Sequence, residues 1–80
     1  MCSNNPNKHS DRALEAMGLA EVTEQADGDL LYVNPNNGRV FSYHLIGYDG
    51  MYYLYQLSQN GCRTFITQGT FTWCHHHAKK

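Results

Sequence analysis

Five dipeptides ending in glycine punctuate the last two-thirds of this 80-residue chain: Asp27-Gly28, Asn37-Gly38, Asp49-Gly50, Asn60-Gly61 and Gln68-Gly69, at intervals of 8 to 12 residues. Tight hairpin turns need backbone at positive φ, and Asn-Gly and Asp-Gly provide it with the least strain. Spacing this short leaves room for strands and not for helices. The intervening runs are rich in Tyr, Val, Phe, Ile and Thr, the residues that suit a pleated surface. Strands are therefore expected at about 20–25, 29–34, 39–47, 51–58, 62–67 and 70–75. Short connections between consecutive strands make an up-and-down meander the simplest topology.

Ahead of the turns the pattern differs. Ser10 suits an N-cap, and Asp11 in the first turn complements the helix dipole. Ala13, Ala16, Met17 and Ala20 recur at helical spacing beside Leu14. Gly18 fits a left-handed stop, with Leu19 and Leu14 at the two positions that touch in a Schellman motif. A helix over 11–17 follows. The fold class expected is α+β: a short N-terminal helix packed on an antiparallel β-meander of four to six strands. Curling toward a barrel is one way such a sheet buries apolar groups on both faces. Residues 1–9 are read as a flexible arm, 10–75 as one domain and 76–80 as a C-terminal tail.

Strand alternation sets Phe41, Tyr43 and Leu45 on one face against Val40, Ser42, His44 and Ile46 on the other. In the next strand it separates Tyr53 and Tyr55 from Tyr52. A two-turn helix covers only part of a face. The expectation is that it covers Phe41, Tyr43, Tyr53 and Tyr55. Tyr52 and His44 would then be accessible, with Tyr32 and Tyr48 at the margins, as a partner-binding surface. Aromatic residues are enriched where proteins bind one another.

Charge narrows the function classes. The net charge is −1, and of six Lys and Arg residues only Arg39 and Arg63 lie in the body of the domain. Neutralising a phosphate backbone needs more than this, so a nucleic-acid partner is disfavoured, including one whose bases stack on the aromatic face. No apolar run reaches the roughly 18 residues that cross a bilayer. The first ten residues lack the hydrophobic core of a signal peptide. No membrane association is expected, and the expected compartment is the cytoplasm. Three cysteines, Cys2, Cys62 and Cys74, read as reduced thiols, although Cys62 and Cys74 would be near each other if both lay on neighbouring strands.

The run Cys74-His75-His76-His77 carries the softest ligands in the chain. On a strand His75 and His77 would point together, and Cys74, His75 and His77 form the alternative metal set, a small zinc domain. The plainer reading is a solvated tail, removable with residues 75–80 without loss of the fold, and no cofactor. No catalytic residues are expected: Cys74 and His75 would point apart on a strand, His44 reads as a cross-strand residue, and the glycines are spaced as turns rather than as a phosphate loop. Leu31-Tyr32-Val33-Asn34-Pro35-Asn36-Asn37-Gly38-Arg39 resembles the central hairpin of WW domains, without their flanking tryptophans, and implies shared hairpin chemistry only.

The function expected is a small protein-binding module or stoichiometric inhibitor, not an enzyme. Domains of this size and style occur among phage and mobile-element proteins that block host defences, anti-CRISPR proteins among them. The alternative partner is a second copy of the chain, in a self-associating structural protein that pairs as a homodimer.

Overall fold

Three of the turn dipeptides close hairpins as expected, with Gly28, Gly38 and Gly61 at φ of 91°, 73° and 86°. The computed structural model of the chain describes residues 9–47 and 50–80. Its elements run α1 (Asp11–Gly18), β1 (Thr23–Glu24), β2 (Leu30–Val33), β3 (Val40–Ile46), β4 (Met51–Leu57), β5 (Arg63–Thr70) and α2 (Phe71–Ala78). The strands form one antiparallel sheet in the order β1-β2-β3-β4-β5, an open meander that does not close into a barrel. The α+β class is as the sequence predicts.

The expected sixth strand at 70–75 is a helix instead. Thr70 caps it, its hydroxyl accepting from the Trp73 amide at 3.2 Å. Phe71, Cys74 and Ala78 enter the core at i, i+3 and i+7, with His75 half-buried beside them. The intrinsic preference of Thr, Trp, Cys and His for a helix is weak, so packing of this stripe decides the conformation. The Gln68-Gly69 dipeptide therefore makes no hairpin. Gly69 lies inside β5, where an added Cβ would sit 2.8 Å from Trp73 Cδ1. Residues 76–78 are not a tail: Ala78 is buried, and its carbonyl accepts from the side-chain amide of fully buried Asn34 at 2.8 Å. That bond satisfies an end-of-helix carbonyl and ties α2 to the β2–β3 turn. Nor is His9 part of an arm, since it too is buried.

The N-terminal helix forms where expected, with Ala13 and Ala16 buried and Met17 packed beside them. Its stop is two residues later than Gly18. Ala20 takes the left-handed conformation (φ 63°), the Ala20 amide donates to Met17 O, and the Glu21 amide donates to Ala16 O. This is Schellman geometry with alanine at C′. The later exit carries Val22 into the core. It is α2, not α1, that lies across β3, β4 and β5, while α1 packs on α2.

Register decides which residues share the covered face. Tyr43 pairs with Leu54 and Leu45 with Tyr52, so Tyr52 and Leu54 lie beside Phe41 and Tyr43. In the same way Leu30 and Tyr32 lie opposite Tyr43 and Phe41. The inner face thus carries Leu30, Tyr32, Phe41, Tyr43, Tyr52 and Leu54, all buried. Tyr53 and Tyr55, expected under a helix, lie on the opposite face.

Candidate interaction surface

Two tyrosine hydroxyls are buried on the inner face, and each is met by a histidine. The Tyr43 hydroxyl lies 2.6 Å from His75 Nδ1, and His75 Nε2 lies 2.9 Å from Glu21 Oε1. A carboxylate only accepts, so Nε2–H donates to Glu21, and Nδ1 of the neutral ring accepts from Tyr43. Tyr52 repeats the arrangement: its hydroxyl is 2.9 Å from His9 Nδ1, and His9 Nε2 is 3.1 Å from Glu24 Oε2. Burial pushes both phenols above the ordinary tyrosine range. The hydrogen bond from His75 holds the Glu21 carboxyl below its usual value, with Lys79 adding to the effect. Each relay thus runs from a buried phenol through both nitrogens of a histidine to a carboxylate nearer the surface.

Tyr52 is therefore not an accessible binding residue. It is 0 % exposed. Tyr32 is likewise buried, its ring edge-to-face with His75 at 4.8 Å. The reason in both cases is the odd-to-even pairing across the hairpins, which swaps inner and outer parity from one strand to the next. Tyr48 lies outside the described residues. His44 is on the outer face and exposed, with Nδ1–H donating to Asp29 at 2.8 Å.

The outer face is covered by neither helix. At its centre Tyr53, Tyr55 and Phe65 meet edge-to-face in a closed trio, with ring centroids 6.3, 6.1 and 6.0 Å apart. His44 stacks parallel to Tyr53, and the Arg63 guanidinium lies 4.7 Å over the Tyr55 ring. Phe65 is 52 % exposed. Residues 51–78 contain no Asp or Glu, and Arg63 is their one Lys or Arg. Sequence reasoning had the aromatic cluster but placed Tyr53 and Tyr55 inside. Phe65 and Arg63 were not among the residues it selected.

The Cys/His run does not converge. On α2 the Cys74 thiol faces the core, 3.6 Å from Tyr52 O and 3.8 Å from Gly69 O, and burial pushes its pKa to about 11. His75 is held by Tyr43 and Glu21, and His77 packs its ring against Trp73 at 4.5 Å. On a helix His75 and His77, two positions apart, lie on roughly opposite sides of the axis, where the strand reading had them together. Among the described residues no group of three His, Cys, Asp or Glu side chains is placed to hold a metal ion. Cys62 is exposed in the β4–β5 turn, so it and Cys74 are both free thiols. A groove of about 370 Å³ between α1 and α2 is floored by Ala16 and Phe71 and rimmed by Arg12, Glu15 and Lys79. Among the described residues no helix is long and apolar enough to cross a membrane.

Searches with this chain find no matching protein-family model, curated protein or solved structure.

Proposed function

We propose that the protein is a stoichiometric protein-binding module whose outer sheet face covers a surface of a partner protein. The observation that carries this reading is the Tyr53–Tyr55–Phe65 trio, half-open to solvent on the face that no helix covers, with Arg63 and His44 at its rim. Tyr and Arg are the residues that most often anchor protein interfaces, and they do so from desolvated central clusters. The trio favours a protein over single-stranded nucleic acid. A base-stacking platform needs free ring faces and surrounding cations. Here Tyr55 already carries the guanidinium, Tyr53 lies against His44, and Arg63 is the one Lys or Arg of residues 51–78. The narrower form of the reading, an inhibitor that blocks a host-defence protein in the manner of anti-CRISPR proteins, is supported by size and style alone.

The test is differential capture. Immobilised wild-type chain, a Tyr53→Ala/Phe65→Ala variant and a Leu19→Ser control just after α1 are exposed to lysate of the source organism. The partner should be retained at near-equal stoichiometry by wild type and control. The double variant should bind it at least about tenfold more weakly while keeping its circular dichroism. Equal capture by all three would refute the outer-face assignment.

A further inference from the structure

β5 is the longest strand, and it stands at an edge. The other edge, β1, has two residues. Long unpaired edges are usually blunted by lysine, proline, inward-pointing charge or a bulge. Of these β5 has one bulge, at Ile66, where the β4 register slips between Leu54 and Tyr55. Its sole charge is Arg63, at the first position. Three large apolar side chains cluster along this edge: Phe65 on the outer face, Ile66 at the bulge and Trp73 on the inner face, 52 %, 40 % and 50 % exposed. Trp73 lies over Gly69 and donates its indole N–H to Thr67 Oγ1 at 3.1 Å.

The bulge has a consequence for what fits this edge. Opposite β4, residues 63, 65, 68 and 70 fall on the outer face, and 64, 67 and 69 on the inner face. Read backwards from residue 70, the face pattern repeats at every pair except the central 66–67. An antiparallel copy of the same strand, turned about a two-fold axis between Ile66 and Thr67, therefore meets it with faces matched. Arg63 faces Thr70 of the second copy, Phe65 faces Gln68, and Thr64 faces Gly69. No like charges meet, because each strand carries one charge at one end. Without the bulge the register about that axis would set outer residues against inner ones. Such a contact is isologous, the form most dimers take.

We propose that two copies of the chain pair antiparallel through β5, about an axis between Ile66 and Thr67, into one continuous ten-stranded sheet made of two five-stranded halves. Main-chain hydrogen bonds join the edges, as in strand addition generally. Each Trp73 extends over the Thr64 of the other copy, and the two outer aromatic trios become one band. The buried strip is narrower than a standard interface, so the association is concentration-dependent. This pairing uses the edge of the sheet and stands apart from the outer-face reading.

Sedimentation equilibrium on the full chain, from about 1 to about 500 µM, tests it over the range expected of small interfaces. The weight-average mass should rise from that of one chain toward that of two. Ile66→Lys, a charge at the half-exposed bulge, should hold the chain at single mass throughout with unchanged circular dichroism. Tyr53→Ala, away from the edge, should leave the dimer intact. Backbone amides of β5 should exchange more slowly at high concentration than at low. A single-chain mass at every concentration would overturn the proposal, as would a dimer that survives Ile66→Lys or is lost in Tyr53→Ala. A partner captured through the outer face while the chain remains monomeric would sink this pairing and leave the outer-face reading standing.

Discussion

Replacing His75 with alanine removes the acceptor of a buried hydroxyl. Tyr43 is 0 % exposed, and its oxygen has His75 Nδ1 as its hydrogen-bond partner among the described residues. Leaving that hydroxyl unpaired costs about 1–3 kcal/mol. The imidazole also stacks on Phe71 at 5.0 Å and abuts Tyr32 at 4.8 Å. Losing such ring contacts adds about 0.5–1.5 kcal/mol. The single variant should thus lose about 3 kcal/mol, a large part of what holds a domain this small together. Tyr43→Phe removes the hydroxyl itself, so it strands no phenol and should cost only about 1 kcal/mol.

The informative quantity is the double variant. With Tyr43→Phe in place, His75→Ala has no hydroxyl left to strand, so the pair should cost less than the sum of the singles by about 1–2 kcal/mol. Urea denaturation of the four proteins, with slopes checked for constancy, measures this coupling. Additive losses, or a His75→Ala cost under about 1 kcal/mol, would show that the Tyr43 hydroxyl finds another acceptor and that the relay is not what satisfies it.

Three further outcomes follow from the same geometry. Ala20→Gly should raise stability by about 0.5–1 kcal/mol, because Ala20 holds a left-handed backbone that glycine adopts without strain; a lowered melting temperature would refute this. Deleting residues 75–80, which the sequence reading treats as harmless, should unfold the domain by circular dichroism, since it removes the partner of Tyr43, buried Ala78 and the carbonyl that accepts from Asn34. Glu21 titrates below its ordinary value of 4.5 in the folded chain because His75 donates to it. Its contribution is therefore complete above that pH and is lost as pH falls through the lower folded value. The stability gap between wild type and Glu21→Gln should close on acidification below about pH 4.5 in urea titrations.

Three of the turns and five of the six expected strands were legible because positive-φ chemistry is local: Gly28, Gly38 and Gly61 need nothing from the rest of the fold to declare a reversal. Facing was harder, because it depends on how many residues separate the paired ends. Ile46 pairs with Met51, leaving four residues in the loop, and an even loop reverses parity between strands. Alternation alone groups Tyr43 with Tyr53, while the loop length groups Tyr43 with Tyr52. The helix α2 was hidden by composition, since Thr, Trp, Cys and His read as strand. Its signal was nevertheless present in the Thr70 cap and the apolar positions 71, 74 and 78. The histidine relays have no sequence pattern at all, as His9 and Tyr52 are 43 positions apart.

The relays also explain why the two faces differ. A core with Phe at positions 43 and 52 would need no histidines, no buried N-terminal residue and no acid at 21 or 24. With Tyr there, each hydroxyl must be met, and the partners come from both ends of the described chain: His9 ahead of α1 and His75 on α2. Both histidines are then oriented from one short connector, by Glu24 and Glu21 on either side of buried Val22. The left-handed turn at Ala20 sets that connector's course, which gives a reason for strain at a position where glycine would be easier. The helix α2, with α1 packed on it, and both relays thus engage the inner face. None of these contacts involves Tyr53, Tyr55, Phe65 or Arg63, so substitutions there change the outer surface without unpairing a buried group. Stability and binding accordingly divide by sheet face: Tyr52→Ala should lose about 3–5 kcal/mol and the fold with it, while Tyr53→Ala should remain folded and lose the partner. A Tyr52→Ala variant as stable as wild type in urea, or a Tyr53→Ala variant that unfolds, would contradict the division at its root.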